Sequence, residues 1–229
     1  MNEADAAVRP RLRMLITAGP TREPIDPVRF LSNRSSGRMG YAVAAAALAR
    51  GHDVTLVSGP VALEAPVGCR VVAVETAAQM HAAVADVCAE VPTHEVAVLA
   101  AAVADYRPRA VAEQKIKKGE ESMALELERT DDILADMRDR FGFQGLLVGF
   151  AAETGNLVAN AQDKLRRKQC DLIVANPVGA AASGTGFDSG QNQITVCFRN
   201  GGVEAWGRAD KSDLAVRLVE LFERHARSS

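Results

Sequence analysis

The sequence predicts a three-layer α/β fold: a mostly parallel β-sheet between helices, with one flap-like excursion and a C-terminal β-hairpin. Short apolar runs alternate with longer segments of helical periodicity along the whole chain, which is typical of that architecture. Several of these runs are apolar without interruption, as strands covered on both faces are. The chain has 229 residues, 48% of them hydrophobic and 24% charged, so it is long enough for one domain with a large core and short for two.

The first unit along the chain is a strand, a long loop, a helix and a second strand. Residues 14–17 form the predicted strand, and the loop at 19–36 contains three prolines. The alanine-rich segment 41–50 has high helix propensity, and Gly51 is expected to end that helix. Residues 53–58 are the second strand. Because such crossovers are right-handed and join parallel strands, the long loop opens at the carboxyl edge of the sheet.

The middle of the chain continues the alternation. Residues 70–75 and 96–102 are predicted strands, and Thr76 is placed to cap the helix between them. That helix has apolar side chains at helical spacing: Met80, Val84, Val87 and Val91. Segment 123–128 alternates apolar with polar or small residues and predicts an antiparallel excursion, either a flap or an interface.

The second half predicts two more helix and strand pairs followed by a hairpin. The helices are 131–141 and 156–169, the strands 145–150 and 171–176, the loop 177–192, and the hairpin 193–198 with 203–208. The last helix, about 212–227, is expected to bury Leu214, Leu218, Leu221 and Phe222. The whole is a Rossmann-like sheet in a single domain, 12–229, preceded by a mobile segment, 1–11.

Composition and charge exclude several classes of protein. Lys and Arg number 27 against 29 Asp and Glu, the formal net charge is -2, and aromatic residues make up 4%. The sequence therefore offers nucleic acid neither a basic footprint nor stacking platforms. Its longest apolar run, 96–104, is about half of the ~18 residues that suggest a membrane span.

The cysteines and histidines point to a reducing compartment. The four cysteines and four histidines show no CxxC or HxxxH spacing, which argues against a disulfide framework and a zinc site. The first ten residues lack the basic start and apolar stretch of a signal peptide. We therefore expect four buried free thiols and a cytoplasmic protein.

The carboxyl edge of the sheet is where a ligand is expected, because open parallel sheets bind ligands beyond their strand ends. The first loop and segments 101–105, 150–154 and 176–178 should converge there. Ser36 and Gly37 precede the first helix, whose backbone N–H groups can hold a phosphate; the alternative is a capped helix with packing glycines. The loop is too long for a GxGxxG fingerprint, which disfavours NAD.

Two polar residues near that edge are candidates for chemistry. Asn33, beside Arg29 and Arg34, could orient a carboxylate or stabilise an acyl oxyanion, or it could simply form an Asx turn. Asp105 follows an apolar strand and could bind a ribose hydroxyl or a divalent cation, or serve as a turn or helix cap.

Two groups of lysines could bind polyphosphate. In an extended segment Lys115 and Lys117 share one face and could reach a triphosphate; the alternative is a solvated edge that opposes aggregation. Lys164 and Lys168 fall on the apolar stripe of their helix. Ammonium groups there need an anion, or they extend past the apolar surface to water.

Six segments carry a family resemblance and occur in the family's order. They are ITAGPTREPIDPVR (16–29), SNRSSG (32–37), AAVADY (101–106), KIKK (115–118), VGFAAET (148–154) and DLIVAN (171–176). From about Leu12 to the last helix the chain resembles phosphopantothenate-cysteine ligase, also called phosphopantothenoylcysteine synthetase, of coenzyme A biosynthesis. In bacteria this ligase is often fused to a flavin-dependent decarboxylase, a half that this sequence does not contain.

The resemblance implies an activity and its site. A nucleoside triphosphate, CTP in the bacterial type, would activate 4'-phosphopantothenate as an acyl-CMP with release of pyrophosphate, and L-cysteine would displace CMP. Mg²⁺ is expected, flavin is not, and relatives are commonly homodimers with the basic flap near the partner's site. Asn33 and Lys115 would be catalytic, and Arg29, Asn33, Ala101 and Ala102 would bind substrate. The nucleotide would contact Ser36, Gly37, Leu99, Ala100, Ala101, Asp105, Lys115, Asp131, Asp132, Ile133, Leu134, Phe150, Lys164 and Lys168.

One departure and two alternatives remain. Many relatives have proline-aspartate where this chain has Asp131 and Asp132, which leaves the conformation of that loop open. The alternatives are an NAD(P)-dependent oxidoreductase, which the missing GxGxxG and Tyr-x-x-x-Lys motifs oppose, and a non-catalytic nucleotide-binding module.

Overall fold

A computed structural model describes residues 11–118, 122–178 and 189–226. The strands, in chain order, are β1 (Arg13–Ala18), β2 (Arg22–Pro24), β3 (Phe30–Ser32), β4 (Asp53–Ser58), β5 (Arg70–Ala73), β6 (Val96–Leu99), β7 (Tyr106–Pro108), β8 (Leu127–Arg129), β9 (Leu146–Glu153), β10 (Leu172–Pro177), β11 (Gln191–Phe198) and β12 (Val203–Asp210). The helices are α1 (Arg38–Ala49), α2 (Ala77–Cys88), α3 (Ile133–Asp139), α4 (Leu157–Arg167) and α5 (Lys211–His225). None of these helices is long and apolar enough to cross a membrane. The N-terminal segment predicted to be mobile lies, up to residue 10, outside the described ranges, as does most of the loop predicted at 177–192.

The main sheet confirms the predicted fold class. Its strand order is β12-β11-β10-β9-β6-β1-β4-β5. The neighbours from β5 to β10 pair in parallel, and β11 and β12 add the predicted antiparallel hairpin. The chain runs from β1 outward to β5 and then returns to β6 on the other side of β1. This reversal places a switch point between β1 and β6, where open α/β sheets bind ligands.

Alternating side chains on the central strands build a core on each face of the sheet. In β1, Met14 and Ile16 pack with α1 and α5, whereas Leu15 packs with α2, α3 and α4. Successive strand residues point to opposite faces, so an uninterrupted apolar strand supplies both cores. Met14, Leu15 and Ile16 are all 0% exposed, and each full burial is worth roughly 1.5–3 kcal/mol.

The end of α1 agrees with the prediction for Gly51. The N–H of Gly51 donates to Leu48 O at 2.9 Å, and the N–H of His52 donates to Ala47 O at 3.1 Å. These two bonds define a Schellman motif, which needs a left-handed residue just after the cap. Gly51 has a φ of 85° and follows the cap residue Arg50, and glycine adopts that conformation without steric cost.

Several boundaries differ from the sequence prediction; β9, for example, extends to Glu153 where the predicted strand ended at 150. The first loop is not irregular throughout, since β2 and β3 pair as a small antiparallel hairpin within it. Val91 is 92% exposed and lies beyond the end of α2, so it is not part of the apolar face of that helix. β6 stops at Leu99 instead of continuing to 102, because the N–H of Ala101 bonds the Thr17 hydroxyl in place of a neighbouring strand's backbone.

The predicted excursion is present and is shorter than its pattern indicated. β7 and β8 form an antiparallel pair separate from the main sheet. Only Leu127 and Glu128 of the predicted segment 123–128 belong to it. Segment 115–118 is not a strand, so the face-sharing argument for Lys115 and Lys117, which assumed extended backbone, does not apply.

The four thiols are free, and two of them are fully buried. Cys170 and Cys197 are 0% exposed, whereas Cys69 and Cys88 are half-buried, contrary to expectation. Burial raises the pKa of Cys88 to about 11 and that of Cys170 to about 12. Both therefore stay protonated and poorly nucleophilic at neutral pH.

A buried carboxylate joins the last helix to the first. Glu223 of α5 accepts hydrogen bonds from Arg50 Nε at 2.8 Å and Arg50 Nη2 at 2.9 Å, and lies 2.9 Å from His52 Nε2. Hydrogen bonds from Arg50, opposed by burial and assisted by His52, lower the pKa of Glu223 to about 2. The pair therefore ties α5 to the helix whose N-terminus faces the ligand edge.

Replacing Glu223 by glutamine is expected to lower the free energy of unfolding by about 3 kcal/mol at pH 7, because it removes the carboxylate that pairs with the largely buried Arg50 guanidinium. A carboxylate with a depressed folded pKa stabilises above its unfolded pKa and loses that effect as the pH falls through its folded pKa. The difference between the two proteins should therefore shrink between pH 4.5 and about 2. Urea unfolding at each pH measures this difference in the free energy of unfolding.

The control is Glu220→Gln, which removes a half-exposed partner of Arg50. It should lower the free energy of unfolding by less than about 1 kcal/mol. Equal losses in the two variants would contradict the stabilising role of the Arg50–Glu223 pair.

Candidate functional site

The carboxyl ends of β1, β6 and β9 border a cleft of about 570 Å³ at the switch point. Ten residues that the sequence predicted for the nucleotide line it: Leu99, Ala101, Asp105, Asp131, Asp132, Ile133, Leu134, Phe150, Lys164 and Lys168. Their elements are far apart in the chain and meet because parallel strands end at the same edge. The cleft is large enough for a nucleotide-sized ligand.

A second pocket of about 120 Å³ adjoins the cleft and shares Ala101 and Phe150 with it. It lies at the N-terminus of α1, where Gly37 is the N-cap residue with no side-chain cap and the first turn carries no acidic residue. Backbone N–H groups and the helix dipole favour an anion at such a position. The pocket contains four more predicted residues: Ser36, Gly37, Ala100 and Ala102.

Three polar residues from the second half of the chain also line this pocket, and two of them are not among the residues that the sequence predicted for the site. They are Asn176, which was expected near the crevice, and Asn192 and Lys211, which were missed. Asn192 is 4% exposed and Lys211 is 7% exposed. A signal for Lys211 was available, because it shares helical spacing with Leu214 and Leu218 of α5, as Lys164 shares it with Leu157 and Ala161 of α4.

The two lysines of α4 lie in a partly buried part of the cleft wall. Lys164 Nζ donates to Phe150 O at 2.8 Å, and Lys168 forms an ion pair with Asp132. Burial lowers the pKa of Lys164. The pKa of Asp132 is lowered by hydrogen bonds from Lys168 and the Ala135 N–H, against the opposing effect of burial. Asp132 therefore faces both ammonium groups, and the rest of the cleft is lined by the carboxylates of Asp105 and Asp131 and the guanidinium of Arg129.

Asn33 lies beside the junction of the cleft and the pocket. Its Nδ2 donates to Ala102 O at 3.2 Å and to Val103 O at 2.9 Å. These carbonyls belong to the segment that follows β6, so the first loop is bonded to the floor of the site. With the amide nitrogen engaged, the side chain presents Oδ1, a hydrogen-bond acceptor, to its surroundings.

Threonines hold the loop that carries Asp105. The Ala104 N–H donates to Thr21 Oγ1 at 3.0 Å, and Thr130 Oγ1 donates to Ala104 O at 2.6 Å. The Thr130 N–H donates to Asp105 O at 3.1 Å. The Asp105 loop is thereby fixed between the first loop and the segment leading to Asp131.

Three predicted residues do not line either cavity: Arg29, Lys115 and Asn33, the last of which bonds the backbone beside them. Arg29 donates to Asp26 and to Ile116 O, the latter at 2.7 Å, so its guanidinium binds other parts of the chain. Lys115 is exposed and is not among the residues that line the cleft or the pocket.

A histidine and two aspartates at the edge of the cleft have the composition of a metal site. Ligand atoms of His81, Asp131 and Asp136 lie within 4.8 Å of one another. However, Asp136 bonds both His81 and Arg140, each at 2.7 Å, and Asp131 lies 3.9 Å from Arg140. The arginine already balances these carboxylates, so the cluster is a salt-bridge network between α2 and α3.

The chain matches the family described as DNA/pantothenate metabolism flavoprotein C-terminal domain over residues 10–225. It belongs to this family. Among curated relatives, the coenzyme A biosynthesis bifunctional protein CoaBC of Vibrio cholerae is 47% identical over 191 residues, which are 82% of this chain and 47% of the relative. CoaBC of Mycobacterium tuberculosis is also 47% identical, over 221 residues that cover 92% of this chain and 51% of the relative.

Members of the family with solved structures have the same fold. A crystal structure of the C-terminal domain of CoaBC matches with a TM-score of 0.79 and 39% identity, covering 95% of this chain and 97% of that one. The chain spans about half the length of the curated relatives it matches. Its counterpart is therefore the C-terminal domain of those proteins.

Proposed function

We propose that this chain is a phosphopantothenate-cysteine ligase that uses CTP. The carboxylate of 4'-phosphopantothenate attacks the α-phosphorus of CTP, the α–β phosphoanhydride breaks, and pyrophosphate leaves. The amine of L-cysteine then attacks the acyl carbon of the acyl-CMP, CMP leaves, and the amine gives up a proton as the amide forms.

One observation carries the proposal. A lysine-lined cleft continues into an anion-attracting pocket at the N-terminus of α1, and the Asn33 amide bonds the backbone beside their junction. A ligand that joins a nucleotide to a phosphorylated acid is anionic at both ends and has its reacting carbonyl between them. The two cavities match that distribution of charge.

The reaction needs positioned charge and requires no protein nucleophile. Lys164 and Lys168 would neutralise phosphate oxygens, and a partly buried ammonium interacts with them more strongly than an exposed one. The N–H groups at the start of α1, with Lys211 and Asn192, would hold the other anionic end. Holding acid and nucleotide together supplies much of the rate enhancement.

Asp105 is the residue that fits a magnesium ion. It lines the cleft, it is exposed, and its carboxylate has no ion pair within the described residues. Mg²⁺ is commonly bound by one or two carboxylates together with substrate phosphates. Asp105 would hold the ion on the nucleotide, where it would neutralise charge on the phosphates.

A pyrophosphate-release assay tests the activity and the nucleotide together. With Mg²⁺, release is expected from CTP and phosphopantothenate, much less from ATP, and none when phosphopantothenate is omitted. CMP and the amide should form only when cysteine is added. Saturable CTP binding without turnover would instead favour the non-catalytic module, and a cofactor-dependent change in nicotinamide absorbance would favour the oxidoreductase.

We also propose a cytoplasmic homodimer. Free thiols, two of them fully buried, are typical of a reducing compartment.

The dimer is supported by exposed apolar side chains on the β2–β3 and β7–β8 hairpins and their connecting segments. They include Val28, Phe30, Val111, Met123 and Leu127, and such patches mark interfaces. Sedimentation equilibrium should give twice the chain mass, and a monomer at micromolar concentration would count against the dimer.

A further inference from the structure

Within the described residues, the lysine-rich segment 115–118 is hydrogen-bonded to the rest of the chain through Ile116. Ile116 donates its N–H to Asp26 Oδ2 at 3.1 Å and accepts a bond on its carbonyl from Arg29 Nη2 at 2.7 Å. Both peptide groups that flank this residue are therefore held. The neighbours Lys115, Lys117 and Lys118 are exposed and make no hydrogen bond or ion pair within the described residues. We call the two hydrogen bonds of Ile116, to Asp26 and from Arg29, the grip on Ile116. They determine the position of the backbone that carries these three lysines.

Asp26 is the centre of this grip. It is 3% exposed, and its Oδ1 accepts from the N–H groups of Val28 and Arg29, both at 2.8 Å. Its Oδ2 accepts from Arg29 Nε at 2.9 Å in addition to Ile116. Burial opposes ionisation, but these hydrogen bonds, the Arg29 side chain first among them, hold the pKa of Asp26 well below its usual value. The carboxylate stays charged and fully bonded across the physiological range.

The grip on Ile116 also links the lysine segment to the β2–β3 hairpin, which leads to Asn33. Asp26 and Arg29 form the loop between β2 and β3, and Asn33 directly follows β3. A further backbone bond, from the Ala112 N–H to Ile25 O at 3.0 Å, aligns the start of the segment with the same loop. Asn33 is in turn bonded to the floor of the site. One hairpin therefore sets the relative positions of the lysine segment and the reacting region.

We propose that Asp26 is a positioning residue for Lys115 that acts by holding the backbone of Ile116, with Arg29 as its partner. This rests on the proposed ligase function and homodimer, in which Lys115 is catalytic and the basic flap lies near the partner's site, as the family resemblance implies. Without the carboxylate, the Ile116 N–H and the Arg29 side chain lose their shared acceptor, and the lysine segment is released from the hairpin.

A double-mutant cycle separates positioning from a general structural role. Asp26→Ala should lower the rate of pyrophosphate release by about 10- to 100-fold, as misplacement of a functional group does. In the Lys115→Ala background the same change should lower the rate by less than about twofold, because the residue that it positions is already gone. An equal factor in both backgrounds overturns the proposal.

Limited proteolysis tests the grip without reference to turnover. Trypsin cuts after lysine, and cleavage of a native protein follows local opening. Cleavage after Lys115, Lys117 and Lys118 should be several-fold faster in Asp26→Ala than in the unaltered protein. The matched control is Glu23→Ala, which removes another buried carboxylate of the same hairpin, one that accepts from the Ala77 N–H of α2 at 2.8 Å. It should leave cleavage at these lysines unchanged, and equal acceleration in both variants overturns the proposal.

Amide hydrogen exchange of the unaltered protein covers the case in which Asp26→Ala does not fold. The Ile116 N–H should exchange at least about tenfold more slowly than those of Lys117 and Lys118, which have no acceptor within the described ranges. Similar rates at the three positions overturn the proposal. If the unaltered protein showed no ligase turnover, the proposed function would fail, while proteolysis and exchange would still decide whether the grip exists.

Discussion

Replacing Lys164 by methionine is expected to lower kcat/KM for CTP by about 100- to 1000-fold, the range for removal of one preorganised charge-stabilising donor. Lys164 lies in the wall of the cleft, and among the described residues its ammonium donates one hydrogen bond, to Phe150 O. Burial already disfavours its charged form, as the lowered pKa indicates. A bound phosphate would compensate that cost, so the interaction is stronger with ligand than without.

The free energy of unfolding shows whether the loss of kcat/KM in Lys164→Met reflects misfolding of the variant. Methionine retains most of the length and the apolar body of the side chain, and it removes the hydrogen bond to Phe150 O together with the unfavourably buried charge. The free energy of unfolding in urea should therefore change by less than about 1 kcal/mol. The control is Arg167→Met on the same helix, whose guanidinium is exposed and paired with Asp163 at 2.6 Å; it should leave kcat/KM within about twofold. Comparable kinetic losses in the two variants would remove Lys164 from the site.

Asn33→Ala is expected to slow amide formation more than acyl-CMP formation. The Asn33 nitrogen is bonded to Ala102 O and Val103 O, so the side chain presents Oδ1 as an acceptor. An acceptor at that position suits the N–H of an attacking amine, which loses a proton as the amide forms. We expect the second step to fall by about 100-fold and the first by no more than about tenfold.

Rapid-quench measurements follow the two steps separately. Acyl-CMP is first accumulated from CTP and phosphopantothenate without cysteine, and its decay is then timed after cysteine is added. Asn200→Ala is the control, because Asn200 lies in the β11–β12 turn, where its Oδ1 accepts from the Gly202 N–H at 2.9 Å, and it should leave both steps unchanged. Equal losses of both steps in Asn33→Ala would refute the assigned role.

Several features of the fold and site follow from local pattern. The alternation of apolar runs and helical segments predicts the mostly parallel sheet. The helical spacing of Lys164 and Lys168 predicts that both side chains lie on the same side of their helix. Both are confirmed, since α4 presents these lysines to the cleft. Thr76 also caps α2 as expected, with Gln79 completing a reciprocal capping box.

Other features depend on contacts between distant segments. Asn192 and Lys211 were missed because nothing local places the C-terminal hairpin and α5 beside the start of α1. The pairing of β10 with β11 and the ion pair between Arg50 and Glu223 bring them there. Likewise, the docking of Ile116 on Asp26 spans 90 positions in sequence, and no periodicity in either segment reports it.

The sequence by itself determined which face of each strand and helix is buried, and thereby the class of the fold and the edge of the sheet at which the cleft lies. It did so because side-chain direction repeats every 2 residues in a strand and about every 3.6 in a helix, which is a property of neighbouring residues. Only the tertiary structure decided which polar groups share a pocket and to which hairpin the lysine segment is bonded. Those outcomes depend on side-chain hydrogen bonds and ion pairs between segments far apart in the chain, whose partners a linear pattern does not specify.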